Sequence, residues 1–451
     1  MENIKIKQRT IESYLLRPQD YMLINSTQSK YLFLSESLKI FRISDPSIIE
    51  YLRVCESGDM DNTCLTEETI RNIGNILQQT DTVEEFGIED DLSHSFLILN
   101  VTNGCNLACK YCFANVVGKN HDTMSLDTAK IAIDNMLNQK TRFDEYTIYF
   151  FGGEPMLKFG LVKQVVEYAE AKIIGEYGKK IQFLLNTNGT LFKSDSVTFL
   201  KEHNFRVTIS IDGTIQHHNE NRVYRNGKGS FNKVMEGICM LKANDVSTNL
   251  RATFNPHTLD LFKTFKFFED LQLPYAYSFT ISNDYKANSG DTFFNENDFN
   301  TVEQEMKRVM DYFITKIRTR EPVYCTGMTN KLNAIRYKIK RKHACEAGRR
   351  SMTVDESGKY YACQNMIPYK HTALGHVNYE IVEEQRQKYM SKSLAKISQC
   401  KDCTIRNLCG GGCEVERISS DESSKQQMCR FFRMEWKNIL YAYSELQKKQ
   451  F

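Results

Sequence analysis

Cys105, Cys109 and Cys112 lie within eight residues in the order C-x3-C-x2-C. Thiolates are soft metal ligands, and a loop with this spacing can turn three of them toward one shared centre. A [4Fe–4S] cubane takes four ligands, so the loop leaves one iron for a ligand that is not protein. A structural zinc site is the competing reading, and it wants a fourth Cys or His close by. The nearest candidate, His121, is nine residues past Cys112. A second group lies toward the C-terminus. Cys400, Cys403, Cys409 and Cys413 follow C-x2-C-x5-C-x3-C, with Cys345 and Cys363 before them and Cys429 after. Seven of the fourteen cysteines fall between Cys345 and Cys429, which points to metal or redox work in place of disulfides. A pair of structural zinc sites is the alternative for this block.

The elements between the two groups must position them. The apolar run Phe96–Val101 reads as a strand that ends at the first cysteine loop. Further strands are expected at Tyr146–Phe151, Ile181–Leu185, Arg206–Ile211, Leu250–Phe254 and Tyr275–Ile281. Helices are expected at Asp127–Leu137, Leu161–Ile174 and Phe231–Leu241. Such alternation gives βα units wound in one direction, with active residues where the strands end. The polar motifs obey that rule. Gly152-Gly153-Glu154-Pro155 follows the second strand, and its glycines let backbone approach a ligand and leave carbonyls free for an ammonium group. Asn186-Thr187-Asn188-Gly189 follows the third strand, and Ser210-Ile211-Asp212-Gly213 ends the fourth, with His218 and Arg222 just beyond. The Met-containing stripe of the helix Phe299–Ile317 reads as core. Cys239 reads as a buried apolar thiol, and the run Lys338 to Arg350 as a solvated basic face that would also suit acidic peptide side chains.

Taken together, the cysteine loop, the GGEP turn, the SxDG turn and the H-x-x-x-R pattern resemble the radical S-adenosylmethionine (SAM) enzymes. The resemblance implies an α/β fold, a partial (β/α)6 barrel, over residues 93–320. It implies that Cys105, Cys109 and Cys112 hold the [4Fe–4S] cluster whose open iron chelates SAM. It places Tyr111, Gly152, Gly153, Glu154, Asn188, Ser210, Arg222 and Ile281 (or Ser282) along the SAM site, with Arg222 on its carboxylate. The C-terminal block resembles the SPASM extension, expected over residues 321–435, with a C-terminal helix in 436–451. By that resemblance Cys400, Cys403, Cys409 and Cys429 hold an outer auxiliary cluster. Cys345, Cys363 and Cys413 hold an inner one, and Cys325 is its candidate fourth ligand. Three [4Fe–4S] clusters and SAM are therefore the expected cofactors. If Cys325 is not a ligand, the inner cluster has an open iron.

Residues 1–92 contain no ligand cluster. Tyr21–Ile24 and Lys30–Leu34 read as a hairpin, followed by helices Pro46–Cys55 and Glu67–Gln79 and an acidic linker, Thr82–Leu92. That layout resembles a winged-helix module that holds the leader of a precursor peptide by strand addition; a plain extension packed on the barrel is the alternative. Net charge is +3, with 41% hydrophobic and 25% charged residues, so neither a nucleic-acid nor a membrane-surface field is implied. There is no apolar run of transmembrane length and no signal-peptide pattern, and a cytoplasmic chain is expected.

As a whole the chain resembles maturases of the ranthipeptide or sactipeptide type, which form thioethers in a Cys-containing precursor. The resemblance implies a flavodoxin- or ferredoxin-type electron donor. A formylglycine-generating anaerobic sulfatase-maturing enzyme is the second reading. Those carry an Asp after the cysteine matching Cys363, where this chain has Gln364, and about 95 residues precede the barrel here. An iron–sulfur electron carrier or peptide-binding protein is a third, opposed by the retained SAM motifs.

Overall fold

A computed structural model describes residues 13–26, 29–57, 63–78, 92–112, 122–281, 293–418 and 422–447. Three short strands open the chain: β1 (Tyr21–Asn25), β2 (Lys30–Leu34) and β3 (Ile40–Ile43), antiparallel in the order β1-β2-β3. Helices α1 (Pro46–Ser57) and α2 (Glu67–Gln78) follow. In β2, Leu32 and Leu34 join a small core with Tyr51, Leu52, Val54, Ile70 and Leu77. The alternate residues Tyr31 and Phe33 join the main core of the molecule. Because strand side chains alternate in direction, an unbroken apolar run such as Tyr31–Leu34 requires both faces to be covered. One face meets the module's own helices and the other meets the body of the protein.

The body is built on a nine-stranded sheet in the order β12-β11-β10-β4-β5-β6-β7-β8-β9. Six of its strands run parallel in chain order: β4 (Phe96–Thr102), β5 (Glu145–Gly152), β6 (Lys180–Thr187), β7 (Arg206–Ser210), β8 (Ser247–Phe254) and β9 (Tyr275–Phe279). Helices α3 (Leu126–Leu137), α4 (Phe159–Glu170), α5 (Ser194–Glu202), α6 (Ile215–Asn221), α7 (Phe231–Ala243) and α8 (Leu261–Leu271) connect them. Leu97, Leu99 and Val101 of β4, Ile148 and Phe150 of β5 and Phe183 and Leu185 of β6 lie in the helix-covered core. The intervening residues, among them Asn100, Tyr149, Asn186, Thr208 and Arg251, therefore face the concave side. Capping sharpens the helix starts: Ser125 accepts from the Thr128 N–H at α3, and Asp260 accepts from the Lys263 N–H at α8.

Helices α9 (Glu296–Arg318) and α10 (Thr326–Arg336) lead into β10 (Ser351–Val354), β11 (Lys359–Tyr361) and β12 (Gly375–His376). Strand β10 pairs parallel to β4 and antiparallel to β11, so this hairpin extends the barrel sheet. The last helix, α11 (Glu422–Leu446), starts before residue 436, the expected start of the C-terminal helix. Most of the expected linker, residues 82–91, lies outside the described residues, as does the end of the helix expected to Gln79. Met306 and Met310 are buried in the core face of α9. Cys239 is exposed, because α7 buries Val234, Gly237, Ile238 and Leu241 and Cys239 lies on its other face. No helix among the described residues is long and apolar enough to cross a membrane.

The N-terminal module is held to the cysteine-rich end of the chain by Arg406. Its guanidinium donates to the Gln19 carbonyl at 3.2 Å and pairs with Glu36 at 2.5 Å and Asp20 at 3.5 Å. Asn407 donates to the Ser35 carbonyl at 3.0 Å, and Lys340 stands 3.8 Å from Glu36. The basic run is thus no open face. Lys340 reaches the module, Arg349 is buried, and Arg350 packs over the Phe143 ring.

Candidate functional site

Strand β4 delivers the first cysteine loop at the end where the parallel strands terminate. The loop is pinned from two sides. On one side, the Ala108 N–H donates to the Val223 carbonyl at 2.8 Å and the Lys110 N–H to the Asn221 carbonyl at 3.0 Å. On the other, the Glu154 N–H donates to the Gly104 carbonyl at 2.8 Å and the Gly153 N–H to the Thr102 carbonyl at 2.7 Å. A Cβ on Gly153 would come within 2.3 Å of the Gly104 oxygen, and one on Gly152 within 2.4 Å of the Thr102 oxygen. The two glycines are therefore required by the chain itself, to let the cysteine loop lie against the turn. Gly152 also sits at φ +138°, a conformation that side chains resist.

Cys109 is buried, and Cys105 and Cys112 are half-buried. Burial pushes the Cys105 thiol up to about 11, against the pull of the Leu107 N–H. It pushes Cys109 up further, against the pull of Arg222, and Cys105 and Cys112 add to that rise. Among the described residues no three His, Cys, Asp or Glu side chains converge closely enough to hold a single metal ion. Cys105 feels the charge of Cys112, and Cys109 feels that of both. The donor set of three thiols fits an iron–sulfur cluster, and the raised thiols of Cys105 and Cys109 would have to release their protons to bind it.

Glu154 is fully buried. Its carboxylate accepts from the Met156 N–H at 3.0 Å, the Thr187 hydroxyl at 2.7 Å and the Asn188 N–H at 2.7 Å. Burial raises it to about 7, and these hydrogen bonds oppose the rise. Through these bonds it braces β5 against β6. Asn188 carries the brace onward, donating to the Asn106 side chain at 2.8 Å and reaching the Cys105 sulfur at 3.8 Å.

Arg222 was expected on a ligand carboxylate. In the structure it is buried and pairs at 3.0 Å with Asp212, itself fully buried. Burial works against the guanidinium charge, but Asp212, Tyr111 and Cys109 together hold it above its ordinary value. The Tyr111 hydroxyl donates to the same Asp212 carboxylate at 2.5 Å, and Arg222 lies over the Tyr111 ring. His218 stands 3.4 Å from the Asp212 N–H and 2.9 Å from the Ser230 hydroxyl, which in turn donates to the Arg222 carbonyl. Sequence reasoning named Ser210, Tyr111 and Arg222 but gave Asp212 no role; its signal was its place in the SxDG turn. Ser210 ends β7 beside Arg251, and Ile281 follows β9. Ser282 lies outside the described residues.

The second cysteine block separates into two groups. Cys409 is pushed up to about 11 by burial and feels Cys403, Cys400 and Cys429. Cys363 and Cys413 are each pushed up to about 12 by burial, and both feel Cys345. Cys325 caps α10, bridges to Tyr275 at the start of β9, and is pushed up to about 12 by burial among Glu269, Lys331 and Tyr275. The nineteen residues between Cys325 and Cys345 include α10.

A family model described as the radical SAM superfamily matches residues 99–267. The serine-type anaerobic sulfatase-maturating enzyme of Bacteroides thetaiotaomicron is 25% identical over 395 residues, covering 77% of this chain and 89% of that protein. An uncharacterised protein of Methanocaldococcus jannaschii is 39% identical over 158 residues; the match covers 35% of this chain and only 51%, about half, of that relative. Among solved structures, anSMEcpe with bound AdoMet and Cp18Cys peptide superposes with a TM-score of 0.64 at 22% identity, over 78% of this chain and 98% of that one. Streptococcus suis SuiB bound to precursor peptide SuiA gives a TM-score of 0.51 at 12% identity, over 90% and 97%. At these identities the two structures speak to the fold.

Proposed function

This chain carries a radical SAM domain, and from that premise we propose that it joins a Cys sulfur of a ribosomally made precursor peptide to a carbon of another residue. The N-terminal module carries the reading. Its sheet ends in β3, whose outer edge pairs with no described strand, and the module is tied through Arg406 to the loop between Cys403 and Cys409. An extended leader can add to such an edge through main-chain hydrogen bonds. The peptide-bound states of SuiB and anSMEcpe support a peptide as substrate.

In this reading Cys105, Cys109 and Cys112 hold one [4Fe–4S] cluster. Cys400, Cys403, Cys409 and Cys429 would hold a second, and Cys345, Cys363 and Cys413 a third. Tyr111, Gly152, Gly153, Asn188, Ser210, Arg222 and Ile281 line the SAM site, and Glu154 braces it. When bound, the first cluster and SAM supply a carbon-centred radical that takes hydrogen from carbon. The chain's own residues orient and exclude water. Asp212 fixes Tyr111 and Arg222 in place, Glu154 and Asn188 fix the cysteine loop, and the helix-covered sheet closes the back of the site. A flavodoxin- or ferredoxin-type protein supplies low-potential electrons.

The likeness to sulfatase-maturating enzymes favours a second reading, formylglycine formation. Against it, Gln364 follows Cys363, and an amide cannot take up a proton as a carboxylate does. The test is anaerobic incubation of the reconstituted chain with SAM and a reductant. The substrate is the peptide of a neighbouring short Cys-rich open reading frame, synthesised with its leader. 5′-Deoxyadenosine should form in step with loss of alkylatable cysteine, and Cys109→Ala should stop both. Deoxyadenosine formed with every peptide thiol still alkylatable contradicts the reading.

A further inference from the structure

Four carboxylates around the concave side are committed within the protein. Glu154 braces β5 to β6, and Asp212 pairs with Arg222. Asp355 accepts from the Ser357 N–H and hydroxyl and from the Lys359 N–H, with Lys370 3.7 Å away. Glu435 pairs with Lys331 at 2.7 Å. Glu356 differs. It sits in the β10–β11 turn, half-buried, and makes no ion pair among the described residues. One carboxylate oxygen accepts from the Asn100 amide at 3.1 Å. Asn100 lies on the concave face of β4, in register with Phe151. Its amide also donates to the Asn103 side chain at 2.9 Å, and its carbonyl oxygen stands 3.2 Å from where a Gly152 Cβ would lie. The turn that pairs onto the barrel edge thus hands a carboxylate to the place where β4 delivers the cysteine loop and β5 delivers the glycine turn.

We propose that Glu356 is the general base that takes the proton from the peptide's cysteine thiol. The inference rests on the thioether reading above. The S–H bond breaks, a carboxyl O–H forms, and the electron pair stays on sulfur. For the link as a whole, one hydrogen atom leaves carbon for deoxyadenosine, one proton goes to Glu356, and one electron passes to an oxidised iron–sulfur centre. Gln364 cannot fill the role: its side-chain oxygen lies 3.5 Å from the Cys363 sulfur and carries no basic charge. The charged and titratable neighbours of Glu356 are Asp355 on its own turn, Tyr361 on β11, which feels its charge, and Lys370 beyond them.

The test uses the reconstituted full chain and the same synthetic Cys-containing peptide with its leader. Glu356→Gln keeps an acceptor for Asn100 and removes the base. At pH 7 link formation should fall by about 100-fold or more, the usual scale for loss of a general base. Iron content and the dissociation constant for SAM should stay at wild-type values. Raising the pH to about 9, above the ordinary thiol value of about 8.5, should restore most of the rate, because the peptide thiol then ionises unaided. Glu356→Asp should retain part of the activity at pH 7. Equal rates for wild type and Glu356→Gln overturn the proposal. A loss that persists unchanged at pH 9 also overturns it, because it marks a bond to Asn100 with no proton transfer. A wild type that links no cysteine fails earlier, on the thioether reading itself.

Discussion

Gly153→Ala isolates the contact between the glycine turn and the cysteine loop. Gly153 lies outside the left-handed region, so the new methyl acts through space alone. It would meet the Gly104 oxygen at 2.3 Å and the Asn103 oxygen at 2.7 Å, both backbone atoms, where real contacts stay above 3.0 Å. The loop must therefore retreat by 3.0 − 2.3, about 0.7 Å. Overpacking of this kind costs about 1–3 kcal/mol, and weakening the Glu154-to-Gly104 hydrogen bond adds about 1 kcal/mol. At a slope of about 2 kcal/mol per M, the urea midpoint should fall by about 1 M or more. The same retreat carries Cys105 away from Asn188, so iron bound by the first loop should fall while iron in the C-terminal block persists. Gly160→Ala is the control: nothing lies within 4 Å of its added Cβ, and α4 should be unchanged or slightly stabilised. A Gly153→Ala protein that unfolds and loads iron like wild type refutes the reasoning.

Four further outcomes follow. Asp212→Asn should destabilise the chain by about 3–5 kcal/mol in chemical denaturation, because it strands the buried Arg222 charge. Iron analysis of the Cys105/Cys109/Cys112→Ala triple variant should show about eight irons where the fully loaded chain holds about twelve, on three four-iron clusters. Cys325→Ala should keep the full iron content, and a loss of about four irons would return Cys325 to the ligand set. Cluster loading should strengthen as pH rises from 7 toward 9, since burial raises these thiols and each must lose a proton to bind, and pH-independent uptake would contradict that.

The barrel was legible because its strands are short apolar runs, each closed by a polar motif, and short right-handed connections leave few ways to wind them. The spacing of the cysteines is local and so could be read directly from the sequence. What sequence missed was decided at long range. The pairing of β10 with β4 joins residues about 250 apart, and no local period reports it. Helices α5, α6 and α8 are short or interrupted in their apolar pattern, and β3 has only four residues. Glu154 and Arg222 were read as ligand contacts from their motifs. Their inward partners, Thr187, Asn188 and Asp212, become visible only when adjacent strand ends converge. Cys325 is twenty residues from Cys345, and that spacing does not report its place beside the start of β9.

The central claim is tested most directly by mass spectrometry of the peptide after reaction. A thioether made by hydrogen abstraction and sulfur–carbon bonding should remove two hydrogens, about 2 Da, per link and block one cysteine from alkylation. Tandem fragmentation should find that cysteine bonded to a carbon of a second residue, and dithiothreitol should leave the link intact. A mass loss that dithiothreitol reverses, or a product aldehyde that reacts with hydrazine as formylglycine does, would contradict the account.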